Sequence, residues 1–288
     1  MARPQLLAGE GFTEIADRVW VARLAWMDVN VTLVEGDRGL LLVDTLGSER
    51  AARALLDELR STSSADVVAV VNTHAHFDHT FGNAVLHDTW PDAVLVAQET
   101  AAEETVPSGE RAKKEYAADP CGEEIAESRI LPADTTFASV RALDLGDRYV
   151  ELVHPGRGHT GGDLVVVVPD ADVVVAGDLV EESGPPTYGP DSFPLEWPGA
   201  VETLIGMLTP RTLVVPGHGT VVDEEFVREQ HHGLATVAET IAGAAGRSLS
   251  VDVTLEGGSW PFPAEGLRHA VERGLGQVPR TERRLPLV

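Results

Sequence analysis

Cysteine is almost absent. Cys121 is the only one in 288 residues, so no internal disulfide can form and a thiolate-rich zinc site is excluded. Any metal bound by this chain must use histidine and carboxylate. Basic residues are also scarce, 22 against 46 acidic ones, giving a formal charge of −24. That charge repels phosphate backbones and anionic membrane surfaces, so neither nucleic acid nor membrane is expected as a partner. No run approaches the roughly 18 apolar residues of a membrane span. Residues 1–11 lack a basic end followed by an apolar stretch, so a cytoplasmic location is expected.

What remains is ordinary globular material, 43% hydrophobic and 24% charged. The length fits one extended αβ domain over residues 1–288, with a C-terminal helical segment at 224–288. Short valine-rich runs at 19–21, 31–34, 40–43 and 67–71 read as one group of strands. Runs at 95–97, 149–153, 164–168, 173–176 and 213–215 read as a second group, and two groups imply two sheets. After Ser48, a plausible N-cap, Ala52, Leu55, Leu56 and Leu59 repeat at helical spacing. Val201, Leu204, Ile205 and Leu208 do the same between Pro198 and Pro210. Residues 224–245 and 264–275 read as further helices, with Gly233 a weak point in the first. The segment 99–127, broken at Pro107, Gly109, Pro120 and Gly122, and the proline-rich segment 181–198 read as surface insertions.

The chemistry sits directly after the strand at 67–71. His74, His76, Asp78 and His79 place three imidazoles and a carboxylate within six residues. His74 and His76 alternate by one residue, so an extended backbone points both the same way, as one shared metal requires. Four ligands this close in sequence can serve two adjacent cations, each completed from distant segments. His159 in Gly-His-Thr-Gly-Gly, Asp178 in Ala-Gly-Asp and His218 in Pro-Gly-His-Gly each follow a valine-rich run. Locally parallel strands would gather these loops at one rim.

Together, residues 73–79 with His159, Asp178 and His218 resemble the metal signature of the metallo-β-lactamase superfamily, over about residues 11–219. The resemblance implies a four-layer αββα sandwich of two mixed β-sheets flanked by helices. It also implies that His74, His76 and His159 bind a first metal, that Asp78, His79 and His218 bind a second, and that Asp178 bridges them. The best-known metallo-β-lactamases place a cysteine where Asp178 stands, so the motif is closer to the glyoxalase II and lactonase side. The expected cofactor is two Zn²⁺, with iron or manganese as substitutes. The expected activity is hydrolysis of an ester, thioester, lactone or lactam, because two cations sharing a water lower its pKa from roughly 15.7 toward about 7. Asp78 is the candidate proton carrier, and Asp44 a candidate support for an imidazole.

Three rivals share the fold: a mononuclear iron enzyme of the persulfide dioxygenase type, an oxygen-reducing diiron protein and a non-catalytic, metal-bearing binding module. The diiron proteins carry Glu where His76 stands. The nuclease branch would need a basic surface that this chain lacks. The expected substrate is a small molecule, neutral or partly apolar, entering between Trp26 and Met27 on one side and Tyr188, Phe193 and Trp197 on the other. No cluster of Lys or Arg stands near the metal motifs in sequence to greet an anion. A homo-oligomer is left open. His87, His154, His231, His232 and His269 read as surface or structural histidines, Cys121 as a thiol without function, and Glu181-Glu182 as a solvated pair.

Overall fold

Leu40 and Leu42 point to one face of their strand, Leu41 and Val43 to the other, and all four are buried. A strand buried on both faces needs a layer on each side. The computed structural model, which describes residues 11–278, supplies both. The expectations for the chain start before Gly11 and for the tail after Val278 lie outside the described residues.

The first sheet runs in the order β1 (Thr13–Ala16), β2 (Val19–Arg23), β3 (Asn30–Gly36), β4 (Gly39–Val43), β5 (Val67–Val71), β6 (Val94–Gln98) and β7 (Thr135–Phe137). Its first four strands are antiparallel, and β4 to β7 are parallel. The second sheet comprises β8 (Val140–Asp144), β9 (Tyr149–Val153), β10 (Val165–Val168), β11 (Val173–Glu181) and β12 (Leu213–His218), antiparallel except for the pair β11–β12. Leu41, Val43, Val71 and Val96 from one sheet meet Val150, Leu152, Val166 and Val175 from the other in a central apolar layer.

Helices cover both outer faces. Leu55 and Leu59 of α1 (Glu49–Thr62) pack on Leu33, Leu40 and Leu42. The Ser48 hydroxyl accepts the Ala51 N–H at 3.0 Å and so caps α1 at its start. On the far side, α6 (Trp197–Ile205), α7 (Glu224–Gly246) and α9 (Arg268–Gln277) bury Val201, Leu204, Val237, Ile241 and Val271 against Val165, Val174 and Val214. The order helix, sheet, sheet, helix is the αββα sandwich. Shorter helices α2 (Phe77–Thr80), α3 (Asn83–Thr89), α5 (Gly122–Glu127) and α8 (Val251–Gly257) fill the connections.

Several readings need correction. Residues 95–97 belong to β6 in the first sheet, not to the second group. The segment 99–127 is not broken at Pro107 or Gly109, because α4 (Glu99–Glu115) runs through both. Packing overrides propensity here: Ala101, Thr105, Ser108 and Ala112 bury one face of α4. At Gly109 the helix lies so close to Phe81 and Ile130 that a Cβ would stand 2.8 Å from each. Residues 181–198 are not a surface insertion either, since Glu181, Tyr188, Ser192 and Trp197 are all buried. Gly233 does not weaken α7, but gives Phe262 a flat seat, with an added Cβ only 2.5 Å from its ring. The second helix ends at Ile205, before Leu208.

Candidate metal centre

Strand β5 delivers the first ligand cluster and the buried amides behind it hold it there. Asn72 Nδ2 donates to His79 O at 3.0 Å and Asn83 Nδ2 returns to Asn72 Oδ1 at 2.8 Å, fixing the bend between β5 and α2. Asp178 is not on a loop after its strand but inside β11, where the pairing with β12 shifts register between Val175 and Glu181. Gly217 on β12 makes this approach feasible, because a Cβ there would stand 1.8 Å from Asp178 Oδ1. His218 closes β12, and His159 lies in the turn between β9 and β10.

The seven side chains converge into two groups, His74, His76, His159 and Asp178, and Asp78, His79 and His218, each with ligand atoms within 4.8 Å of one another. Asp178 lies between them. Its Oδ2 is 3.6 Å from His74 Nε2, 3.3 Å from His159 Nε2 and 3.3 Å from His218 Nε2, while its Oδ1 is 3.2 Å from His79 Nε2. Asp78 Oδ2 is 3.4 Å from His218 Nε2 and 3.6 Å from His79 Nε2.

Each imidazole turns one nitrogen inward and ties the other outward. His159 Nδ1 meets Thr187 O at 3.0 Å and His218 Nδ1 meets Met27 O at 2.7 Å. A carbonyl only accepts, so both Nδ1 atoms carry a proton and both Nε2 atoms are the ones turned inward, free to bind a metal once unprotonated. His79 Nδ1 meets Asp44 Oδ2 at 2.8 Å and His74 Nδ1 meets Thr73 Oγ1 at 3.1 Å. His76 is reversed, with Nδ1 inward, 2.8 Å from His159 Nε2, and Nε2 outward, 3.3 Å from Asp191 Oδ2. Among the described residues, His74 Nε2 and Asp178 Oδ1 are buried with no hydrogen-bond partner. Orphaned inward donors of this kind, all nitrogen and carboxylate oxygen, fit divalent metal ions such as zinc.

Without metal, the cluster divides its protons by burial and charge. Burial opposes charge on His79 and His218, but Asp178 and its neighbouring carboxylates lift both well above the ordinary imidazole range. Burial lowers His159 to about 4. Asp78 resists ionisation through burial, yet His79 and His218 bring it to about 2. Metal binding must therefore displace protons from His79 and His218.

A cavity of about 440 Å³ opens over the cluster. Met27 and Tyr188 line it, but Trp26, Phe193 and Trp197, expected beside them, do not. Trp26 packs behind Phe77, with ring centroids 6.2 Å apart. Trp197 is fully buried at the start of α6 and donates through Nε1 to Leu179 O at 3.2 Å. Phe193 lies beneath the guanidinium groups of Arg157 and Arg273. The wall opposite is α4, through Ser108, Arg111, Ala112 and Glu115, with Tyr116 just past its end.

Four lining residues have no sequence signal that gathers them: Arg111, Glu181, Asp191 and His269. Arg111 brings a single cation to the cavity wall rather than a basic cluster, and its Nη2 is paired with Asp191 Oδ2 at 2.7 Å. Glu181 is not solvated. It accepts Thr187 N at 2.9 Å and Thr187 Oγ1 at 3.0 Å, and burial, with Asp178 nearby, pushes it up to about 8. His269 is exposed but stands at the cavity rim.

An αββα sandwich with a histidine and carboxylate cluster at the ends of its strands defines a class, the metal-dependent hydrolases of this architecture. Comparison with known proteins narrows it. The family model described as "Metallo-beta-lactamase superfamily" matches residues 24–218. A metallo-beta-lactamase type 2 of Bacillus cereus is 28% identical over 196 residues, 67% of this chain and 68% of that protein. One from Bacillus sp. (strain 170) is 27% identical over 197 residues, 68% of each chain. Among solved structures, a metallo-beta-lactamase from Pontibacter korlensis superposes with a TM-score of 0.63 at 23% identity, over 80% of this chain and 99% of that one. A double mutant of the sec-alkyl sulfatase PisA1 gives 0.75 at 16% identity, over 93% of this chain and 50% of that one. At these identities the two structures speak for the fold alone. The chain belongs to the metallo-beta-lactamase superfamily and is a metal-dependent hydrolase.

Proposed function

We propose that this protein is a dinuclear zinc hydrolase of the cytoplasm that cleaves a small carbonyl compound: an ester, thioester, lactone or lactam. The observation that carries this reading is Asp178, whose two carboxylate oxygens stand within 3.2–3.6 Å of histidines from both groups. One tetrahedral ion cannot use seven donors. When bound, a pair of divalent cations would supply an activated water and polarise the attacked carbonyl.

The chain's own residues do the rest. Asp78 lines the cavity and is ionised, so it can take a proton and pass it to a leaving group. Tyr188 presents a buried hydroxyl with no partner among the described residues, which burial holds in the phenol form and which can donate to a substrate oxygen. Met27, Phe77 and Tyr116 offer apolar faces for the remainder of the molecule. Because Arg111 is already paired with Asp191, the cavity favours a neutral substrate with an apolar part over an anionic thioester.

Metal analysis and a substrate screen test this together. About two zinc ions per chain are expected, with turnover of at least one class among lactones, thioesters, simple esters and β-lactams and none of phosphodiesters. One iron and no zinc would replace this reading with the mononuclear oxidoreductase. Bound metal without turnover of any carbonyl class would leave a binding module. Preference for an anionic over a matched neutral ester at low salt would refute the substrate assignment.

A further inference from the structure

The chain after residue 218 lies beyond the matched family region, yet it returns to the cavity. Helix α9 places His269 at the rim. Its next turn grips the residues below: Arg273 Nε donates to Ser192 O at 2.9 Å, and its guanidinium lies 5.1 Å from the centre of the Phe193 ring. Arg157 lies over the same ring at 4.4 Å and forks onto Glu196 at 2.9 and 2.7 Å. Phe193 N in turn donates to Gly158 O at 2.8 Å, beside His159.

This loop, residues 182–196, carries the outer partners of two of the three histidines in the first half-site. Thr187 O holds His159, and Asp191 holds His76 while being held by Arg111. The imidazoles of the second half-site take no partner from the loop, since they are held by Asp44 and Met27, and the loop meets that half only at its first residue, where Glu182 N donates to the His218 carbonyl at 2.9 Å.

We propose that α9 is a working part of the metal centre: through Arg273 and Phe193 it seats the 182–196 loop so that Thr187 and Asp191 orient His159 and His76. It thereby sets the metal affinity of the first half-site and leaves the second untouched. The proposal rests on the reading of the site as a pair of metal half-sites. Arg273 is a positioning residue, acting on the imidazoles only through the loop. Losing an outer partner of a metal-bound histidine commonly weakens binding by about 10–100-fold, and Arg273, one step further out, is expected at the lower end.

The test compares the full chain as wild type, Arg273→Ala, Arg273→Lys and Asp191→Ala in zinc competition against a chelator. Imidazole nitrogen NMR signals of His76 and His159, against those of His79 and His218, read each half-site separately. Arg273→Ala should weaken the first half-site about tenfold and leave the second unchanged. Arg273→Lys, which restores a donor to Ser192 O, should recover part of the loss, and Asp191→Ala should lose more. In the metal-free protein, amide exchange over residues 184–193 should quicken in Arg273→Ala. Should that variant fail to fold, Phe193→Leu, which removes the ring under both guanidinium groups, carries the same expectation. Unchanged first-site affinity, or equal weakening of both sites, overturns the proposal. If wild type binds two zinc ions and the variants match it, only this proposal falls. If wild type binds none, the dinuclear reading falls and takes this one with it.

Discussion

The two half-sites present similar inner donors and rest on different foundations. The second is fastened to the frame of the sandwich: Asp44, at the end of β4, receives Thr73 N and Thr73 Oγ1 at 2.8 Å each while it holds His79. Met27, which holds His218, sits in the β2–β3 turn that Arg23 and Asp28 close at 2.7 Å. The first half-site leans on a loop. Inner ligands alone would make the two look alike, whereas the supports distinguish a rigid half from an adjustable one.

The largest effects come from the donors themselves. His76→Ala and His218→Ala should each reduce turnover by about a thousandfold or more with little change in the far-ultraviolet dichroism. Each should lose one cation first, and near-normal turnover in either would remove that residue from the site. Asp178→Asn keeps the shape and removes the charge shared by both halves. It should keep one metal through dialysis, lose the other, and regain part of its rate on zinc addition. A variant that retains both metals and full rate would show that another group bridges.

Next in size is the support of the rigid half. Asp44→Asn should weaken the second half-site by about 10–100-fold and the first by less, because Asp44 touches His79 directly and reaches His74 only through Thr73. Isothermal titration with zinc checks this, and equal weakening of both sites would abolish the distinction between them. The smallest expected effect concerns the adjustable half, where Glu181 anchors Thr187. Its carboxyl gives up its proton near about 8 in the folded protein and near the ordinary value of 4.5 when unfolded. The folded form therefore holds more protons between these values, and stability falls as pH rises from 5 to 8. Glu181→Gln removes that slope, so the metal-free variant should gain on wild type as pH rises across this interval. Thermal unfolding at pH 5 and pH 8 with the same difference between the two proteins would refute it.

The inner ligands are legible because they sit in tight motifs after apolar runs, glycine-flanked at His159, Asp178 and His218, and their resemblance to a known signature implies the layer order. The supports are not, because nothing in the sequence joins Asp191 to His76 or Arg273 to Ser192. The valine run hides the place of Glu181, because β11 continues buried past it to Glu181 and of the pair only Glu182 turns toward solvent. Trp197 reads as a loop aromatic, but it is the first residue of α6, one before Pro198, and faces the core. Strands β7 and β8 escaped notice because they are short and half-exposed, with polar residues between the apolar ones. The wall made by α4 was hidden behind Pro107, whose propensity argued against the helix that packing imposes.

Neither half of the chain carries a complete half-site, because each joins donors from the first sheet to donors from the second. Synthesis therefore finishes them at different moments. His74, His76, His159 and Asp178 are all present once residue 178 has been made, while the second set waits for His218, about forty residues and some 2–8 s later at about 5–20 residues per second. In that interval the emerging chain holds the donors of the adjustable half and lacks both the last strand of the rigid half and α9. The half that is specified first by the order of synthesis is thus the half whose support is made last.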